Sequence, residues 1–100
     1  MEVEFTGEIV EWRGPAPFHF LVLPPDAVQD IAEVARAVTY GWGMIPVRAV
    51  LGSVTFTTSL WPRAGGYVLP VKDAVRRPQG LELGDVVTVR MTVREGRVRP

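Results

Sequence analysis

The sequence has no cysteine and a single histidine among its 100 residues. Disulfides, thiolate metal sites and a cysteine nucleophile are therefore excluded, and the composition fits a reducing cytoplasm. Long hydrophobic runs are also missing. No stretch approaches the roughly 20 apolar residues of a membrane helix. No basic-then-apolar leader opens the chain, and Met1 leads straight into an alternating pattern. A cytoplasmic domain that does not enter a membrane is expected. Net charge is absent as well, since 11 Lys and Arg balance 11 Asp and Glu. Non-specific nucleic-acid affinity comes mainly from phosphate neutralisation, so this balance disfavours a polyanion as the partner.

What is present is a hydrophobic fraction of 47%, enough to bury one core in one domain spanning residues 1–100. The charges are sorted along the chain. Residues 1–40 hold seven acids against Arg13 and Arg36, and the rest of the chain carries the balancing cations. The contrast is sharpest between Glu2, Glu4 and Glu8 at the start and Arg90, Arg94, Arg97 and Arg99 at the finish. Pairing of the two terminal strands, with these charges facing each other, accounts for it. A basic nucleic-acid arm is the alternative.

Period-two alternation places Val3, Phe5, Gly7 and Ile9 on one face of a strand over 2–12. A loop over 13–17 leads to a second strand, Phe18 to Leu23, apolar on both faces and so expected to be central. Pro24-Pro25-Asp26 ends it. Asp26 is placed to cap a helix near 26–38, whose Val28, Ile31, Ala32, Ala35 and Val38 follow helical spacing, with Gly41 as its stop. Ile45 to Leu51 and Val54 to Leu60 form a hairpin about Gly52-Ser53. Residues 61–66 read as a loop, Tyr67 to Pro70 as a short strand, the segment near 71–78 as a turn or short helix, and Val86 to Val93 as the last long strand. Glu95-Gly96 offers a further turn.

The sequence also repeats itself. FLVLPPDAVQDI over 20–31 and GYVLPVKDAVRRP over 66–78 both run strand, Leu-Pro, Asp-Ala-Val, helical turn. Each unit later reaches a valine-rich strand. Two strand–helix–strand units closing on each other would leave no free sheet edge. The expected fold is mainly β: a small closed barrel of about six pseudo-duplicated strands with one amphipathic helix and one short one. One chain suffices to close it, so a monomer is compatible with the pattern.

Several of these residues also resemble a known family. Phe5-Thr6-Gly7, Trp12, Phe18-His19-Phe20 and Leu23-Pro24 are followed by Gly41-Trp42-Gly43, Ile45-Pro46-Val47, Leu51-Gly52 and Thr58-Ser59-Leu60-Trp61-Pro62. Gly65-Gly66-Tyr67, Leu69-Pro70-Val71-Lys72, Val75-Arg76 and Gly80-Leu81 to Gly84-Asp85 complete the order. Together they resemble the DUF1905 family over nearly the whole chain, which implies a small closed barrel with an added helix and no established activity. Residues 67–91 alone are similar to the swapped-hairpin DNA-binding half-barrels of AbrB-like regulators.

The inventory of reactive groups is thin. His19 lies between Phe18 and Phe20 without Asp or Glu at metal-ligand spacing, so no metal site is expected. Ser59 lacks a nucleophile-elbow context, and Gly65-Gly66 reads as a turn. No carboxylate pair is set for acid–base work, and no cofactor is called for. Two clusters remain. Trp12, Trp42, Trp61 and Tyr67 are aromatics beside loops or strand ends, able to stack a planar ligand or to fill a core. Trp42 in particular, between two glycines, is expected to pack first as core. Lys72, Arg76 and Arg77 are cations, and the spacing of four puts Lys72 and Arg76 on one helical face. A non-enzymatic binding or interaction module is thus expected, with a small anionic ligand or a protein as partner. Its candidate site is Trp42, Trp61, Tyr67, Lys72 and Arg76 around one barrel mouth. A nucleic-acid-binding module is the alternative, and a small enzyme the least favoured.

Overall fold

The structure, a computed structural model, describes residues 2–14, 18–38 and 43–94. Six strands form one closed antiparallel barrel: β1 (Glu2–Trp12), β2 (Phe18–Val22), β3 (Ile45–Leu51), β4 (Val54–Arg63), β5 (Gly66–Pro70) and β6 (Val86–Val93). Two helices interrupt them, α1 (Pro25–Val38) after β2 and α2 (Asp73–Arg76) after β5, the latter running into a 3-10 turn over Arg77–Gln79. The expectations for Ala35 and Val38, for Gly41 and Trp42, and for Glu95 to Arg99 fall outside the described residues and side chains.

The ring order is β1-β2-β5-β4-β3-β6. It reads the same when β1, β2 and β3 are exchanged with β4, β5 and β6, which is the two-fold expected of a duplicated unit. The ladder agrees with the sequence repeat: Val22 pairs with Val68, its own counterpart before the Leu-Pro step. The two long strands close the ring by serving both halves. Glu2 to Glu8 pair with β6, whereas Ile9 to Trp12 pair with β2. Val54 to Leu60 likewise pair with β3, and Trp61 to Arg63 with β5. Gly7 lies just before this change of partner in β1, where a Cβ would press on the Val22 carbonyl at 3.3 Å.

The terminal strands do pair, with Glu4 opposite Arg90 and the hydroxyls of Thr6 and Thr88 2.9 Å apart. Only part of the expected charge ladder forms, since Glu2 faces Thr92 and Glu8 faces Val86.

One segment departs from expectation. Trp61-Pro62-Arg63, expected in a loop, continues β4, and the reversal is a two-residue turn at Ala64 and Gly65, both at positive φ. Proline is tolerated there because Pro62 lies beyond the last β3 pair, Ile45 with Leu60, so its missing N–H leaves no gap in that ladder.

Inward-facing residues fill the barrel, among them Ile9, Leu21, Val47, Leu60, Leu69, Val89 and Met91, all buried. Met91 faces Ala49 across the β3–β6 ladder, a large side chain against a small one. Because β2 and β5 are antiparallel, the helices that follow them close opposite ends. At one end α1 contributes Ala27 and Ile31 to the core; at the other, Val71 and Val75 come from the α2 segment. Asp26 lies in the first turn of α1, one residue inside its start, and accepts a bond from the Ala27 N–H at 3.0 Å. None of the helices among the described residues is long and apolar enough to cross a membrane.

Candidate functional site

In an ordinary barrel the outward positions are polar. On β2 they are Phe18, Phe20 and Val22, because both faces of that strand are apolar. Phe20 is 4% and Val68 3% exposed, yet neither belongs to the interior core cluster. They are buried on the outside of the wall, under other side chains. Phe18 lies 5.4 Å from the Phe20 ring and 5.4 Å from the Trp61 ring, tilted against both. The Arg63 guanidinium lies over the Trp12 ring at 4.9 Å and the Phe20 ring at 5.2 Å. Gly14 leaves room for this arrangement, since a side chain there would run into the Trp12 indole.

Trp12, Phe18, Trp61, Pro62, Arg63 and Val68 thus line an apolar cleft of about 370 Å³ on the outer wall. Trp12 remains 43% and Trp61 42% exposed beside it. Its volume is that of a small-molecule site.

A second hollow, about 610 Å³, opens at the α2 end of the barrel. Glu11 and His19 face each other on β1 and β2 there, and the Val71 N–H donates to the His19 carbonyl at 2.9 Å, which brings the α2 segment alongside. Lys72, Asp73, Arg76 and Arg77 complete the polar lining. Arg76 is occupied: its guanidinium donates to the Leu81 carbonyl at 3.0 Å and to Asp73 at 2.9 Å, with the side chain only 14% exposed. Arg77 reaches the other Asp73 oxygen at 3.3 Å. The hydrogen bond from Arg76 holds the Asp73 carboxyl below the usual aspartate range, against an opposing desolvation and with help from the charges of Arg77, Arg76 and His19.

A third hollow, about 450 Å³, lies at the α1 end, between Tyr67, Val28, Ala32 and the 64–66 turn.

The residues expected at one mouth are therefore spread over three adjoining hollows. Trp61 is on the wall, Tyr67 at the α1 end, and Lys72 and Arg76 at the α2 end. Tyr67 and Lys72 lie five residues apart on an extended segment, roughly 16 Å at the strand rise. Trp42 is outside the described residues. The wall cleft nevertheless joins the other two, sharing Phe18 with the α2 hollow and Pro62 and Arg63 with the α1 hollow. Phe18 and Arg63 were not among the expected site residues. The signal for Phe18 was a strand apolar on both faces; Arg63 was hidden by the loop reading of its segment. Among the described residues, no group of three or more His, Asp or Glu is placed to hold a metal ion.

A closed, internally duplicated six-stranded barrel with an aromatic cleft on its wall defines the class of domain. A family model described as a domain of unknown function, DUF1905, matches residues 5–91, and the chain belongs to that family. No curated protein matches it significantly.

Proposed function

We propose that this domain is a non-catalytic binding module and that its ligand seat is the aromatic cleft on the barrel wall. One observation carries this: Trp12 and Trp61 stand half in water around Val68, which is buried but lies outside the barrel core. Closing the barrel does not require these rings. Contiguous exposed apolar surface on a small domain marks an interaction site, and indole supplies a large rigid face at small entropic cost. The described lining of the cleft offers no nucleophile and no carboxylate, which supports binding over catalysis.

The test is a panel of flat apolar and amphipathic small molecules, followed by tryptophan fluorescence. The parent domain is expected to bind at least one of them, and Trp61→Ala to weaken that binding at least tenfold while keeping a dispersed NMR spectrum. A folded Trp61→Ala variant that binds as the parent does would contradict the assignment, as would a panel without a hit.

A further inference from the structure

The wall cleft and the α2 hollow share one ring. Phe18 is the outward residue of the last β1–β2 pair, opposite Trp12, and it lines both spaces. On one side of it lie indoles; on the other lies a cationic mouth. Resting on the cleft as a ligand seat, we infer that the two hollows are halves of one site for a phosphomonoester that carries a flat aromatic ring, either directly, as in an aryl phosphate, or through a sugar, as in a mononucleotide.

The ring half is set by Trp61 and Phe18, tilted at 56° to each other, with Arg63 stacked nearby. Exposed aromatic faces of this kind hold a base or another planar ring by stacking, whatever its edge chemistry. The phosphate half is set by charge. Three basic side chains, Lys72, Arg76 and Arg77, line the α2 hollow against two acidic ones, Glu11 and Asp73. Arg76 is committed to Leu81 and Asp73. Among the described residues no carboxylate pairs with Lys72. The Arg77–Asp73 contact joins two exposed side chains, 73% and 58% accessible, a kind of pair that contributes little and is readily exchanged for a stronger anion. Lys72 and Arg77 are thus the cations available to a phosphate, whose near-double charge exploits both. Phe18 lines both halves, so a ring on one side of it and a phosphate on the other belong to one continuous site.

The experiment is calorimetric and NMR titration at low salt with four probes: adenosine 5′-monophosphate, 1-naphthyl phosphate, adenosine and inorganic phosphate. Both phosphate-bearing rings are expected to bind at least tenfold more tightly than adenosine or phosphate alone. Trp61→Ala should weaken the monophosphate and adenosine together. The double variant Lys72→Ala/Arg77→Ala, at two exposed positions, should reduce the monophosphate to the adenosine level and leave adenosine unchanged. Naphthyl phosphate binding without the nucleotide would keep the aryl phosphate and remove the nucleotide as its source. Equal affinity for adenosine and its monophosphate would overturn the inference while leaving the aromatic seat intact. Monophosphate binding indifferent to Trp61→Ala, or no binding of any probe, would also overturn it.

Discussion

Truncating Arg76 to alanine removes two hydrogen bonds and a mostly buried stem at once. The sequence places Arg76 on one helical face with Lys72, either solvated or paired with Asp73, where its loss is expected to change stability little. In the structure its side chain is 14% exposed, and its guanidinium clamps α2 to the Leu81 carbonyl across the Gly80 turn. The Leu81 N–H in turn donates to the Arg76 carbonyl at 3.1 Å, so the two residues hold each other. Leaving a part-buried carbonyl without its charged donor, together with the lost packing of the stem, costs about 2 kcal/mol. In a domain of this size that lowers the thermal midpoint by roughly 8–16 °C. Lys72→Ala, one turn away on an exposed side chain, is the internal control and should shift the midpoint by no more than a degree or two. Circular dichroism melts of the parent and both variants suffice. If Arg76→Ala melts together with Lys72→Ala, the clamp is not a stabilising contact and Arg76 returns to the pool of free cations.

Asp73→Asn should lower the neutral-pH midpoint. The Asp73 carboxyl sits below its ordinary value of 3.8 because Arg76 bonds its ionised form, so its contribution is complete above that value and fades as pH falls through the depressed one. The gap between parent and Asp73→Asn midpoints should therefore narrow only below 3.8, and a gap that closes at higher pH would refute the assignment. Deleting residues 1–8 should unfold the domain, because it strips β6 of one neighbour and takes Val3 and Phe5 from the core. A folded monomeric truncation by NMR and sedimentation would contradict ring closure through β1.

Most of the fold was legible because the long strands β1, β3 and β6 announce their faces by alternation. Val3, Phe5 and Ile9 alternate with glutamates, and the structure buries the former and exposes the latter. The repeated Leu-Pro step was equally legible, and it carried the two-fold order of the ring. What alternation cannot convey is where a strand stops pairing with one neighbour and starts with another. Trp61, Pro62 and Arg63 read as a loop, but they pair with β5 beyond the last β3 pair. The placement of the candidate residues around one mouth fails for a related reason. Tyr67 and Lys72 are close in sequence, but an extended segment carries them to opposite ends of the barrel. Phe18 and Phe20 read as markers of a central strand, which β2 is, between β1 and β5, but the cover over its outer face, from Trp61 and Arg63, was not legible.

The central claim is that the wall cleft, and not the barrel interior, receives the ligand. A two-dimensional proton–nitrogen NMR titration with the tightest ligand from the panel tests it directly. The indole N–H signals of Trp12 and Trp61 and the backbone amides of Phe18 and Val68 should shift together along one binding curve, while those of Val47 and Met91 inside the barrel stay in place. Shifts centred on the interior residues, or still indoles at saturating ligand, would contradict the account.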